Sequence, residues 1–330
     1  MSTATTPIQW TDKTWNPVRG CSRVSTGCDS CYAMGQAHRF AGPGQPYEGL
    51  TTIRKGKVDW SGEARFIPSA LAEPLSWRKP QRVFVNSMSD LFHHSVTNEE
   101  IAAVFGVMAA CPHLTFQVLT KRAERMREWF AWANEARGLA GGDGEVRRCM
   151  GLAFTKGATW TRHVEYPVWP LPNVHLGVSC EDQQRADERI PHLIQTPAAV
   201  RFVSAEPLLG RIDLDAIQIP GAREGLRCSA LRRAHDDRFG SSDILLDWVI
   251  VGGESGTGAR PCNAEDIRSI VRQCTEAGVP VFVKQLGRFA YSDKGGRSFA
   301  EDLRGQDRKG GDPAEWPEDL RVRQFPEARP

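Results

Sequence analysis

Short apolar runs alternate with polar turns and amphipathic stretches along most of the chain. Six runs rich in β-branched and apolar residues predict strands, at 82–86, 114–119, 174–178, 200–203, 248–251 and 279–283. Each run is followed by polar residues and, in most cases, by a segment with helical spacing of its apolar positions. This alternation predicts parallel strands that are joined by crossover helices.

Helical patterns occupy the intervals between these strands. The segment Thr97-Asn98-Glu99-Glu100 has the form of a capping box and predicts the start of a helix. Further helices are predicted from Arg122 through Trp132, at 183–193 and at 264–277. Nearer the N-terminus, residues 32–40 fit a short helix, and residues 10–20 are polar with Pro and Gly, which predicts a loop.

The order of these elements predicts an α/β fold, a partial (β/α) TIM-type barrel of six to seven parallel strands. A seventh strand is expected near residues 63–67. An open doubly wound sheet also fits the alternation and lacks only the closure of a barrel. In the barrel, working residues gather at the carboxyl ends of the strands, where the polar turns of this chain lie.

The predicted organisation is one barrel over residues 1–290 and a C-terminal tail over 291–330. Two segments interrupt the rhythm, at 138–172 and 218–243, and inserts of this length are either functional loops or surface elaborations. The spacing of Trp316, Leu320, Val322 and Phe325 predicts that part of the tail packs on the barrel.

Composition narrows the class of protein. The 330 residues are 40% hydrophobic and 25% charged, with a formal net charge of +2, which by itself gives no argument for nucleic acid. No apolar run suggests a signal peptide or a membrane span. Nine cysteines without a secretion signal are typical of reduced thiols, so we expect a cytoplasmic protein with no membrane partner.

Three of these cysteines, Cys21, Cys28 and Cys31, lie within eleven residues of chain. Soft thiolate ligands select zinc or iron–sulfur clusters over hard ions. Three thiolates are one short of a complete structural zinc site or a fully ligated [4Fe–4S] cluster. Either a histidine completes the set, the nearest being His38, or one iron of a cluster stays open to bind a small molecule.

The residues around the cysteines carry a family resemblance. The run Trp15-Asn16-Pro17-Val18-Arg19-Gly20-Cys21, followed by Cys28-Asp29-Ser30-Cys31-Tyr32-Ala33, resembles a three-cysteine family of phage and bacterial proteins without an assigned reaction. That family is similar to radical S-adenosylmethionine (SAM) enzymes, the spore photoproduct lyase branch in particular. The resemblance implies a [4Fe–4S] cluster on Cys21, Cys28 and Cys31, SAM as cofactor, and an electron donor of the flavodoxin or ferredoxin type.

SAM would need a cation for its carboxylate, acceptors for its amine and ribose, and backbone that approaches closely. The candidate cofactor-binding residues at the strand ends and beside the cysteines are Tyr32, Ser89, Asp90, Lys121, Ser179, Glu181, Gly252 and Gly253. The order of Cys28-x-x-Cys31-Tyr32-Ala33, Ser89-Asp90 and Thr120-Lys121 is similar to that in spore photoproduct lyase. The longer gap after Cys21 departs from the common radical SAM spacing.

Three further residues are candidates for catalysis. Cys180 is a candidate hydrogen-atom donor, and Glu206 and Glu254 stand in motifs that match the three-cysteine family. Each has a plainer interpretation, since a lone cysteine beside a strand is often a small buried hydrophobe. Lys121, beside Arg122, equally fits a solvated charge cluster.

Two functions from different classes therefore remain open. The first is a radical SAM-like enzyme acting on an unknown substrate, with a nucleotide or nucleic acid possible but not favoured, because no basic stripe accompanies the ten tryptophans. The second is a zinc-stabilised binding module, with Cys21, Cys28, Cys31 and His38 as ligands and no catalysis.

Overall fold

The computed structural model describes residues 6–139, 169–218, 227–232, 245–256, 258–293 and 301–327. Most of the two predicted inserts, including Trp160 and Tyr166, lies outside the described residues.

A seven-stranded parallel sheet forms the centre of the fold. Its strands, in spatial order, are β1 Lys13–Trp15, β6 Arg82–Val85, β7 Thr115–Thr120, β8 Val174–Ser179, β9 Val200–Ala205, β12 Trp248–Gly252 and β14 Val281–Gln285. This order follows the chain without reversal. A doubly wound sheet reverses its order at a switch point, whereas consecutive strands in a β/α barrel are neighbours. The strand order therefore agrees with a partial β/α barrel and counts against the doubly wound alternative.

The position predicted for the seventh strand was wrong. Residues Ala64–Phe66 do form a strand, β5, but it pairs antiparallel with β2, Val18–Gly20, in a separate small sheet. The missing strand is β1, in a stretch predicted as a loop. Three residues give too little pattern to recognise, and β1 is fixed by tertiary contacts, since Trp15 is fully buried and donates from Nε1 to the carbonyl of Ala70.

The described residues form six helices, α1 Tyr32–His38, α2 Pro68–Leu71, α3 Asn98–Ala109, α4 Ala123–Leu139, α5 Gln183–Gln195 and α6 Ala264–Ala277. Five of the six lie where the pattern predicted them, and α2 was not predicted. The capping box at α3 is present, with Thr97 accepting from the amide of Glu100 and Glu100 accepting from the amide of Thr97. No helix in the described ranges is long and apolar enough to cross a membrane.

The described residues also form small sheets besides the main one. Two hairpin strands, β3 Thr51–Arg54 and β4 Lys57–Trp60, pair antiparallel. The remaining short strands are β10 Ile217–Gln218, β11 Arg227–Cys228, β13 Cys262–Asn263, β15 Ala290–Ser292 and β16 Glu301–Asp302.

The chain divides into two compact units. Unit 1 comprises Met1–Val24, Cys31–Leu176 and Thr196–Ala199, and unit 2 comprises Ser25–Ser30, Gly177–Gln195 and Val200–Pro330. Within unit 2 the C-terminal segment packs on β12 and β14. Trp316 and Leu320 are buried, and the amide of Val283 donates to the carbonyl of Val322.

Candidate functional site

The three clustered cysteines occupy different local structures. Cys21 follows β2, Cys28 ends a 3-10 turn over Thr26–Cys28, and Cys31 is the N-cap of α1. All three are half-buried and free of disulfides. Within unit 1, Cys21 and Cys31 pack against an apolar cluster, formed by Ala33, Met34, Ala37, Tyr47, Leu50 and Trp60.

The three cysteines are of the residue type that binds a metal group, but their placement in the structure does not form a metal site. Three half-buried thiols without disulfides are the ligands that an iron–sulfur cluster takes. However, no group of three or more His, Cys, Asp or Glu side chains in the described part of the chain is placed to hold a metal ion. Metal binding would therefore require the sulfurs to turn towards a common centre.

In unit 1, Arg122 holds the residues that follow β2. Its Nη1 lies 3.9 Å from the Sγ of Cys21, and its Nη2 donates to the hydroxyl of Ser22 at 2.8 Å and to the Ser22 carbonyl at 3.1 Å. Burial works to lower the pKa of Arg122, but Asp90 and Cys21 outweigh it, so the pKa is raised. A fixed positive charge thus stands beside the Cys21 sulfur.

Asp90 anchors Arg122 from the end of β6. It is buried, and its carboxylate accepts from the Nη1 of Arg122 at 3.0 Å, from the hydroxyl of Thr120 at 2.8 Å and from the amides of Lys121 and Phe92. These four donors occupy the carboxylate with contacts inside the protein. Its part in the site is therefore to position Arg122 and the end of β7.

His93 also contacts Ser22, in the loop that follows β2. His93 is fully buried, whereas the adjacent His94 is exposed. The Nδ1 of His93 accepts from the amide of Ser95, so its Nε2 carries the proton and donates to Ser22 at 2.9 Å. Burial, with the charge of Arg122, lowers the pKa of His93 to about 4, and the ring is neutral at pH 7.

In unit 2, a buried ion pair supports the turn that carries Cys28. Glu181, fully buried at the end of β8, pairs with Arg189 at 2.9 Å and accepts from the hydroxyl of Ser25 at 2.8 Å. Gly27 lies so close that a Cβ there would be 2.2 Å from the Oε1 of Glu181. The turn therefore requires glycine at this position for close approach to the carboxylate.

A second ion pair contacts the same turn. Glu254, at the end of β12, accepts from the Nε and Nη2 of Arg260 at 2.9 and 2.7 Å, and Arg260 donates from Nη1 to the carbonyl of Thr26 at 2.9 Å. The hydrogen bonds to Glu254 raise the pKa of Arg260. Glu181 and Glu254 thus both orient groups that hold the Thr26–Cys28 turn.

The third glutamate, Glu206, pairs with a lysine at the end of β14. Lys284 Nζ lies 2.9 Å from the Oε1 of Glu206, and the hydroxyl of Ser204 donates to Oε2. Gly252 lies beneath this pair, because a Cβ there would be 3.0 Å from the same oxygen. A quarter of the Lys284 side chain remains exposed, so this cation is accessible at the carboxyl edge of the sheet.

The other candidates have local roles in the structure. The hydroxyl of Tyr32, which is exposed, donates to the carbonyl of Ser87, and that of Ser89 donates to the carbonyl of Val18. The carbonyl of Ser179 accepts from Arg189, and Cys180 is fully buried. The group that lies close to Gly253 is the protein's own backbone, because a Cβ at this position would be 2.2 Å from the carbonyl oxygen of Leu286.

His38, the proposed fourth zinc ligand, is at the far end of α1 from Cys31. Seven residues of helix separate them by roughly 10 Å along the axis. Its Nδ1 lies 3.0 Å from the hydroxyl of Thr51, which uses one of the two ring nitrogens.

Sequence reasoning missed the cations that organise these contacts. Arg122 was interpreted as part of a solvated charge cluster, but its side chain is only 13% exposed. Arg260 and Lys284 were not among the candidates. In the sequence, these cations are marked only by their position near the carboxyl end of a strand. The carboxylates that they pair with are brought close by the fold.

Comparison with known proteins assigns the family. Residues 5–315 match the family described as "Protein of unknown function (DUF5131)", and the chain belongs to it. Nothing in this description links the family to radical SAM enzymes. No curated protein and no solved structure matches the chain.

Proposed function

We propose that this member of the DUF5131 family is an iron–sulfur enzyme of the radical SAM type, with Cys21, Cys28 and Cys31 as ligands of a [4Fe–4S] cluster. The observation that carries the proposal is the set of three half-buried cysteines without disulfides within eleven residues, flanked by turns that buried ion pairs hold. Structural cysteines without a function in metal binding or redox chemistry are usually fully buried. The sequential parallel sheet is the second support.

Cys21, Cys28 and Cys31 would hold such a cluster, which would supply the electron for cleavage of SAM. The chain's own residues divide into two groups. Arg122, Glu181 and Arg260 position the loops that carry the thiols. Lys121 and the Glu206–Lys284 pair would contact the charged parts of cofactor or substrate, at strand ends where such sites form.

The remaining assignments follow from the same proposal. Ser89 and Ser179 would face the cofactor at the strand ends, whereas Gly252 and Gly253 contact other protein groups and Cys180 is fully buried, so the proposal gives these three no contact with it. A flavodoxin or ferredoxin would reduce the cluster. The reduced cytoplasm is the compartment in which the thiols and the cluster would persist.

A first test counts metal. The protein is reconstituted anaerobically with iron and sulfide, and iron, sulfide and zinc are measured after desalting. The proposal predicts about four irons and four sulfides per chain, and retention of neither when Cys28→Ser replaces a ligand. The matched control is Cys228→Ser, which removes another half-buried free thiol outside the trio.

The same measurement decides between the two hypotheses. One zinc per chain that is lost on His38→Ala would select the zinc-stabilised binding module. A chain that retains neither zinc nor iron would contradict both functions.

A further inference from the structure

The hairpin of β3 and β4 presents a cluster of positive charge that the sequence alone did not reveal. We call residues 51–60 the basic hairpin. Its tip carries Arg54, Lys55 and Lys57, all exposed, and Ile53 beside them is 63% exposed. The strands pair with each other and not with the main sheet, so the tip is a two-stranded ribbon.

The cations at the tip act against the folding of the hairpin. Lys55 and Gly56 have φ values of 49° and 73°, the left-handed pair of a type I′ turn. Asn or Asp adopts the first position more readily than lysine does. Arg54 and Lys57 are direct cross-strand partners, and like charges in that position repel. The stability of the turn explains neither the lysine at position 55 nor the pair of like charges, Arg54 and Lys57.

Among the described residues, no carboxylate forms an ion pair with the cations of the tip. None of the three cations forms a salt bridge with any described residue. The carboxylate on the hairpin, Asp59, bonds to Arg23 at 2.8 Å, and Arg54 acts on it only as a more distant charge. The positive charge at the tip is therefore available to an external anion.

The base of the hairpin adds to this surface. Helix α1 packs there, with His38 Nδ1 lying 3.0 Å from the Thr51 hydroxyl. Arg39 and Phe40 follow directly and are exposed, Phe40 at 50%. Arg39 and Phe40 thus add a cation and an apolar side chain near the base of the hairpin, at the end of α1.

We propose that the basic hairpin is a contact surface for double-stranded DNA. The major groove, about 12 Å wide, admits a two-stranded β-ribbon, and phosphates pair with arginine and lysine on its flanks. The deep, narrow major groove of A-form RNA does not admit such a ribbon. Single strands are bound by stacking on aromatic side chains, and the tip carries none. The inference is independent of the proposed cluster chemistry.

The test compares two double variants of the full-length protein. Arg54→Gln with Lys57→Gln removes two charges from the tip, and Arg78→Gln with Lys79→Gln removes two exposed charges that precede β6. Binding to a fluorescent DNA duplex of mixed sequence is measured by anisotropy over a range of salt concentrations. All proteins are purified without metal, so loss of the cluster does not enter.

The hairpin variant is expected to bind at least roughly tenfold more weakly at 0.1 M salt, and the slope of log K against log salt to shrink by about 1.8, near 0.9 for each lost phosphate contact. The control is expected to bind as the wild type does. Thermal unfolding checks the fold, and the hairpin variant should be no less stable because a repulsive pair is gone.

Three results would overturn the inference. If both double variants bound DNA more weakly by the same factor, the overall charge of the protein and not the hairpin would account for binding. If the wild-type protein did not bind the duplex, the inference would be wrong. Tighter binding to the single strand, or to vesicles containing phosphatidylserine, than to the duplex would assign the surface to another partner.

Discussion

At the scale of single residues, the site is organised by charged side chains that contact other protein groups. Asp90, Glu181 and Glu254 resemble ligand-binding carboxylates in the sequence, since each follows a strand. In the structure each accepts several hydrogen bonds from the protein, and each thereby fixes a loop beside a cysteine. Breaking such a buried pair on one side leaves an uncompensated charge, which costs about 3–5 kcal/mol.

Gly27→Ala tests whether this packing holds the Cys28 turn. The new Cβ would overlap the carboxylate of Glu181, so the turn must shift, and we expect unfolding to become easier by about 1–3 kcal/mol. The alkylation rate of Cys28, followed by peptide mass spectrometry, should rise. Gly35→Ala is the control, because an added Cβ there contacts nothing within 4 Å on α1. Equal Cys28 reactivity in both variants would show that the contact does not position the turn.

Local sequence identified the residue types at the strand ends but not their partners. Asp90 was found because an acid after a strand is a visible signal. Arg122 was misjudged, because its contacts with Asp90 and Ser22 span 32 and 100 residues of chain. Whether an arginine faces solvent or a buried carboxylate is decided by this tertiary pairing, which periodicity does not encode.

At the scale of elements, those with strong local signals were predicted well. Helix α6 was predicted with both observed ends, because Asn263 caps its start and Gly278, with φ of 69°, ends it. Strand β1 was missed and β5 was assigned to the wrong sheet. Both are three residues long, so burial and pairing with distant strands decide their place.

The capping box of α3 gives a prediction at this scale. Thr97→Ala removes the acceptor for the amide of Glu100 and should lower the free energy of unfolding by about 1 kcal/mol. Thr97→Ser keeps the hydroxyl and serves as the control. Both are measured by urea denaturation. If alanine and serine were equivalent, the cap would contribute nothing to stability.

At the scale of the whole molecule, the sequential order of seven parallel strands was predictable as a fold class, because apolar runs and helical patterns alternate along the chain. The division into two units was not predicted. Contacts of Ser25–Ser30 assign this short segment to unit 2, and such long-range partners leave no periodic signal in the sequence.

Stability should depend on pH through two histidines, the buried His93 and the half-buried His175. Burial lowers the pKa of both His93 and His175 from 6.5 to about 4. The unfolded chain then binds more protons than the folded one between these values, so stability is full above pH 6.5 and falls as the pH drops towards 4. Each contributes about 2 kcal/mol between pH 7 and pH 5.

His175→Leu isolates one of these contributions. Urea unfolding at pH 7 and pH 5 should show that the variant loses roughly half the stability that the wild type loses over this interval. Curves with the same pH dependence in the two proteins would mean that His175 does not titrate on unfolding.

The central claim is that the three clustered thiols support reductive cleavage of SAM, and formation of 5′-deoxyadenosine measures this most directly. The reconstituted protein is incubated anaerobically with SAM and dithionite, and the product is quantified by chromatography. The account predicts 5′-deoxyadenosine with the wild type and with Cys228→Ser, and none with Cys28→Ser. A protein that holds four irons, is reduced, and yields no 5′-deoxyadenosine would contradict it.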